Sequence, residues 1–439
     1  MFPNPQDSLP LPRHPDIEQY KKLAKELLRA TKSTDPGAIR NWSTNWVKGL
    51  VEQSGIEITP QLPVRTDDWI RGVANFAQAK LPYGSKLSDA QFVIARAHGF
   101  PNWSRFARHI HNTTDTDSRQ ARFEAAADAV VTGDVSTLKQ LLRENLGLAR
   151  QRSTREHGAT LLHYCSANGV EGYRQKTPKN IVEIVRILLE SGAEVDAGAE
   201  VYGGVCTTLG LAATSVHPEK AGVQEDLMRV LLDHGAAMDK PGVTGGRHSL
   251  IRGCLANGRP RAARWLAEHG AKLDLEGAAG TGSLDAVKTF FESNGELKPP
   301  ATRQDLQRGF VWACGYGGED VVQFLLSRGA DLGDDAGSGE PPLHMAVVGA
   351  NLPVVKLLIA RGAPIEQLNG YGGTPLGQAG WSFVNGDPDA DYVPVFEALL
   401  AGGAQIEDRW LAWLDRQRGR TVEQKARIAE VLRRYGAGS

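Results

Sequence analysis

Cysteine is scarce: Cys165, Cys206, Cys254 and Cys314 are the four in 439 residues, and they stand 41, 48 and 60 positions apart. No pair has zinc-ligand spacing, so no metal is expected, and scattered single thiols read as small buried residues in a reducing cytoplasm. No run of about 18 uncharged apolar residues occurs, so no membrane-spanning helix is expected. The formal net charge is only -1, which singles out neither nucleic acid nor an anionic membrane as a target. The opening Met1-Phe2-Pro3-Asn4-Pro5 lacks the basic start and apolar run of a secretory signal. G-x-S-x-G, H-E-x-x-H and Rossmann fingerprints are also missing, so no cofactor is expected. Gly242 through His248 is glycine-rich but has no Lys-Ser/Thr pair of a phosphate loop. Gly386 through Asp391 opens like a calcium loop, yet Ala398 stands where the closing glutamate belongs, and a solvated acidic loop is the reading.

What is present is a repeat. The ending L-L-x-x-G-A occurs at Leu188 through Ala193 and at Leu231 through Ala236, and returns with small changes at 266–271, 325–330, 358–363 and 399–404. Degenerate copies stand at 290–295 and 432–437. The repeated glycine falls at 192, 235, 270, 295, 329, 362, 403 and 436, in steps of 43, 35, 25, 34, 33, 41 and 33. An apolar pair that closes a helix, followed by glycine able to take positive φ and by a small alanine, is a helix end made for stacking. One such hairpin cannot bury its apolar face alone; neighbours do it.

These residues resemble the ankyrin family, whose period is about 33 residues and whose mark is T-P-L-H-x-A. Pro342-Leu343-His344-Met345-Ala346, Thr160 through Cys165 and Gly373 through Ala379 carry the mark. The resemblance covers roughly residues 119 to 437. It implies an all-α solenoid of about eight units, with repeats over 119–408 and a capping helix pair over 409–437, where Arg416, Arg418, Arg420, Arg427, Arg433 and Arg434 give a charged outer side. It also implies that His163 and His344 bond backbone in the turn. Gly210, Arg252, Glu276, Val311 and Gly377 replace that histidine elsewhere. Three units are long, with insertions near 169–180, 215–224 and 382–393 between the helices of a repeat, where loops often meet partners.

Ahead of the repeats, residues 1–12 hold four prolines and read as extended. Residues 13–115 read as a small helical domain: 17–28 has apolar residues at helical spacing, Trp42 and Trp46 are four apart, and 87–110 is helix, glycine turn, helix. The whole segment resembles one found ahead of ankyrin repeats in many bacterial proteins, and no activity comes with that resemblance. Residues 13–112 carry 15 Lys+Arg against 9 Asp+Glu, whereas 113–439 carry 35 against 41. That asymmetry admits a third-ranked DNA reading through Asn102, Ser104, Arg105 and Arg108.

In the geometry the resemblance implies, first helices and hairpin tips line a concave face. Tyr164, Trp312, Met345 and Gln378 follow the motif histidine position, Tyr316 and Trp381 lie a turn further on, and Tyr202 and Tyr371 sit in the hairpins. Aromatic rings and methionine on such a face make binding hot spots, so the leading expectation is non-catalytic recognition of a protein or peptide, with Trp312→Ala costing about 2 kcal/mol. The alternative that some of these rings are inter-repeat core stays open. A second class rests on the glycines at 210, 253, 277, 280, 282 and 315: either close helix packing or a small-molecule pocket, with Glu276, Arg252 and His217 as catalytic candidates, though an Arg252–Glu276 ion pair replacing the missing turn contacts is the favoured reading of those two.

Overall fold

The computed structural model describes residues 4–57, 59–60, 62–82, 84–239, 249–387, 389–406, 410–417 and 420–436; the glycine-rich stretch 242–248 and Pro388 of the acidic loop lie outside the described residues. The chain divides into two compact units, 1–253 and 254–439.

The first unit begins with α1 (Ile17–Ala30), α2 (Ala38–Ser54), α3 (Leu62–Lys80), α4 (Leu87–Ala97) and α5 (Trp103–Thr114). Asp16 and Asn102 cap α1 and α5 by accepting from the backbone of Glu18 and Arg105. Their apolar faces meet in one core that includes Tyr20, Trp46, Val93, Phe106 and Ile110. The His98 ring stacks on Phe106 at 5.2 Å, and Tyr20 meets both edge-on. Burial holds the His98 imidazole down to about 3, so it packs as a neutral ring. The start, expected to be extended, makes a 3-10 turn over Pro5–Asp7 and is part of this core: Leu9 is buried, its N–H donates to Ala97 O at 2.8 Å, and its carbonyl meets His98 Nδ1 at 3.2 Å.

Helical hairpins follow. The first unit holds α6 (Arg119–Thr132) with α7 (Val135–Glu144), α8 (Leu161–Tyr164) with α9 (Ile181–Glu190), and α10 (Thr208–Thr214) with α12 (Gln224–Asp233); the short α11 (Val216–Lys220) lies between the last two. A two-stranded hairpin, β1 (Gly198–Val201) and β2 (Gly204–Thr207), leads into α10, turning at Tyr202 and Gly203, both at positive φ. The unit boundary falls within α13 (Leu250–Ala256). The second unit continues with α14 (Pro260–Glu268), then pairs α15 (Leu275–Thr281) with α16 (Leu284–Lys288), α17 (Arg303–Tyr316) with α18 (Glu319–Ser327), α19 (Pro342–Val348) with α20 (Leu352–Ala360), α21 (Pro375–Asn385) with α22 (Val393–Ala401), and α23 (Trp410–Arg416) with α24 (Val422–Arg434).

The repeat signature has a hydrogen-bond meaning at both ends of a hairpin. All eight repeated glycines take positive φ, from 82° to 103°. At six of them the following alanine N–H reaches back to the carbonyl of the first leucine-position residue, as in Ala193 to Leu188 at 3.0 Å and Ala363 to Leu358 at 2.9 Å. That is a Schellman end, so the L-x-x-x-G-A spacing satisfies carbonyls the helix leaves over. At the other end, Thr207, Asp274, Thr302 and Thr374 accept the N–H three residues on and cap the first helices. His163 accepts from the Thr160 N–H at 3.1 Å and His344 Nε2 meets Gly373 O at 2.9 Å, so both motif histidines serve the turn. The hairpin α6–α7 ends Leu141-Leu142-Arg143-Glu144-Asn145, without the glycine.

The glycine cluster of the second unit marks close packing. A methyl on Gly280 would sit 2.3 Å from Leu255 Cδ1 and 3.1 Å from Trp312 Cβ; one on Gly309 would meet Ala279 Cβ at 3.2 Å; one on Gly349 would lie 2.0 Å from Gly315 O. First helices α15, α17 and α19 come close to backbone contact there, which is the close-packing alternative.

Candidate functional site

At the far end of the second unit, the finger ahead of α21 and the helices α21 and α23 enclose a cleft of about 630 Å³. Gly380 is its hinge of closeness: a methyl there would be 2.9 Å from the Trp410 ring and 3.1 Å from that of Trp413. Those two indoles meet edge to face, 5.2 Å apart, and form the floor. Trp381, 57% exposed, stands on the wall, and Leu368, 60% exposed, on the finger side. Tyr371, at the tip of the same finger, is 87% exposed. Polar groups rim the cleft: Asn385, Gln405, Gln417, Glu366 and Arg416. The finger is held by Asn369, whose Oδ1 accepts from Tyr371 N at 3.1 Å and Gly373 N at 2.9 Å, and whose Nδ2 donates to Gln378 Oε1 and to Glu340 Oε2 at 3.2 Å each.

The residues expected on a concave binding face divide into three groups. Trp381 and Tyr371 are exposed at this cleft or beside it. Trp312 and Tyr316 are half-buried, stacked on each other 6.2 Å apart and packed against the core, which is the inter-repeat alternative. Tyr164, Met345 and Gln378 are buried, and the groove role is corrected for all three. The Met345 methyl fills the space opposite Gly315, and Gln378 is a relay between Asn369 and Ser382. Tyr202, in the first unit, is half exposed but tied back, its hydroxyl donating to Asn168 Oδ1 at 2.6 Å.

Tyr164 belongs instead to a buried ionic cluster in the first unit. Arg155 lies 2.9 Å from Glu124 and, through Nε, 2.6 Å from Glu171; Arg174 lies 2.7 Å from Glu124 and 2.8 Å from Asp128. The Tyr164 hydroxyl donates to Glu171 at 3.4 Å, and His157 Nε2 is 3.6 Å from the same carboxylate. Burial would raise the Glu124 carboxyl, but the two guanidiniums hold it at about 2, and Arg155 with its neighbours keeps Glu171 well below the usual range. Burial brings His109 down to about 4. Glu171, Tyr173 and Arg174 all come from the insertion near 169–180, and Gly172 of the same loop accepts from Arg65 of α3 at 2.9 Å and abuts the backbone of Gln6. The expected partner contact at this insertion is thus an internal one: the loop fastens the N-terminal helices to the first hairpins. The other two insertions are also tied down. Gln224 donates to the last carbonyls of α10, and Arg427 pairs with Asp391 at 2.9 Å.

Of the catalytic candidates, His217 and Arg252 belong to the first unit and Glu276 to the second. Glu276 is buried in the first turn of α15, with the Arg308 guanidinium 3.7 Å away. Burial raises the thiols of all four cysteines, Cys206 to about 11 and Cys254 to about 12, which leaves them poor nucleophiles. Among the described residues no cluster of three or more His, Cys, Asp or Glu suits a metal, and no helix is long and apolar enough to cross a membrane.

A family model for three-copy ankyrin repeats matches residues 275–369 and 310–409, and one for the single ankyrin repeat matches 157–199. The chain is an ankyrin-repeat protein. Among relatives, the ankyrin repeat and KH domain-containing protein mask-1 of Caenorhabditis elegans is 32% identical over 133 residues, which is 28% of this chain and 5% of that protein. The ankyrin-repeat chain thus matches a small part of that relative's length. A crystal structure of the human ASB11 ankyrin repeat domain aligns over 64% of this chain and 99% of its own, at 22% identity and a TM-score of 0.33.

Proposed function

We propose that this ankyrin-repeat chain is a non-catalytic scaffold that holds an extended segment of another protein in the tryptophan-lined cleft of its second unit. One observation carries the reading. Trp381 and Leu368 are exposed within one cleft over the indoles of Trp410 and Trp413, with Tyr371 exposed at the tip of the same finger. Rings in a preformed cleft with a polar rim are what binding hot spots consist of, and ankyrin-type stacks present their concave side to partners. The free, buried thiols support a reducing, cytoplasmic setting.

The test is selection of a displayed library of random dodecapeptides on the whole protein, with Trp381→Ala as the counter-target. The reading expects a retained pool that the variant releases, with a loss of about 2 kcal/mol or more per selected peptide. A pool held equally by both proteins, or no retained pool, contradicts it.

A further inference from the structure

The fingers beside the cleft carry charge of one sign. Segments 329–341 and 362–374 contain Asp331, Asp334, Asp335, Glu340 and Glu366 and no lysine or arginine, and the first helices α19 and α21 contain no charged residue. The two fingers lie against each other: Gln367 donates to Gly333 O at 2.8 Å, Gly370 N to Gly339 O at 2.7 Å, and Asn369 to Glu340. None of the five carboxylates has an ion-pair partner among the described residues. The three aspartates accept from backbone N–H groups in their own turn, as Asp335 does from Gly337 and Gly339. Burial, with Asp335 beside it, raises the Glu340 carboxyl. At the cleft itself Arg416 balances Glu366, so the excess negative charge lies on the side of the preceding finger.

We infer that the occupant of the cleft is a basic segment, with an apolar side chain seated among Trp381, Trp410 and Trp413 and a lysine or arginine over the finger that carries Asp331, Asp334, Asp335 and Glu340. This rests on the docking reading above. Adjacent first helices pack about 10 Å apart and an extended chain advances about 3.3 Å per residue, so the cation falls about three positions from the apolar anchor. The acidic finger recruits that cation at a distance and rejects acidic sequences.

The selected dodecapeptide pool decides it. The expected pool is enriched in lysine or arginine about three residues from a large apolar side chain, and its affinity falls roughly tenfold as ionic strength rises from about 0.05 M to about 0.5 M. The double change Asp334→Asn and Asp335→Asn keeps the turn acceptors while removing two charges, and is expected to weaken binding about threefold to tenfold. Glu340→Gln is a second, single-charge version that leaves the aspartate turns alone. A Trp381-dependent pool with no excess of basic residues, with acidic residues, or with salt-independent affinity overturns this inference and leaves the docking reading standing. Absence of any Trp381-dependent pool overturns both.

Discussion

In the first unit Glu124, Asp128 and Glu171 lie against Arg155 and Arg174, and the rings around them, Tyr164, Tyr173 and Phe100, are used as packing for guanidiniums. In the second unit Asp331, Asp334, Asp335 and Glu340 form no ion pair among the described residues, and Trp381, Leu368 and Tyr371 face solvent. The same residue types are consumed internally in one half and left available in the other. The difference follows from what each half must hold. The first unit joins a separate group of helices to the start of a repeat stack, and a loop with paired charges does the joining. The second unit is repeat after repeat, closed by tight glycine contacts, and its fingers are fixed by neutral amides, Gln307 and Gln367, rather than by paired charges.

The comparison breaks most visibly at Arg155. Arg155→Met leaves Glu124 and Glu171 buried with one cation fewer, and a loss of about 3–5 kcal/mol is expected in chemical denaturation. Asp334→Asn in the second unit should stay within about 0.5 kcal/mol of the parent in the same experiment. Equal losses would erase the contrast.

Glycine sharpens it next. Gly349→Ala pushes a methyl into Gly315 O and is expected to cost about 1–3 kcal/mol. Gly49→Ala, mid-helix in α2 with nothing within 4 Å, should gain about 0.5–1 kcal/mol. Thermal melts of the two variants check both signs.

Acid separates the units as well. His98 and His109 are held below 6.5 in the folded chain, at about 3 and about 4, and Glu124 below 4.5, at about 2. In each case the unfolded chain takes up the proton first. The stability they confer is whole above about pH 6.5 and is lost as pH falls, through the histidines first and Glu124 last. In the second unit His344, lowered by burial, shares that sign, while Glu340, raised, has the opposite one. The nine tryptophans report on this separately, four at 42, 46, 69 and 103 and five at 265, 312, 381, 410 and 413. With 5-fluorotryptophan, the first group should lose its native fluorine signals at a higher pH than the second during acid titration.

The repeat and the glycine at each helix end were legible because they repeat: eight recurring glycines cannot be hidden by context. The role of each ring was not. Tyr164, Met345 and Trp381 all come from the same side of a first helix, and which one turns inward depends on what the neighbouring repeat supplies: Glu171 for Tyr164, Gly315 for Met345, and the indoles over Gly380 beside Trp381. Trp410 and Trp413 read as capping residues in sequence, and only their approach to Gly380 makes them a cleft floor. The ionic cluster escaped for a related reason, since Glu124, Arg155 and Glu171 stand far apart in the chain and meet only when the insertion folds back.

The most direct measurement is a fluorine NMR titration of the 5-fluorotryptophan protein with a dodecapeptide from the Trp381-dependent pool. The account predicts that the signals of Trp381, Trp410 and Trp413 move together while those of Trp42, Trp46, Trp69 and Trp103 stay in place. Movement confined to the N-terminal tryptophans, or none at the three cleft positions, would contradict it.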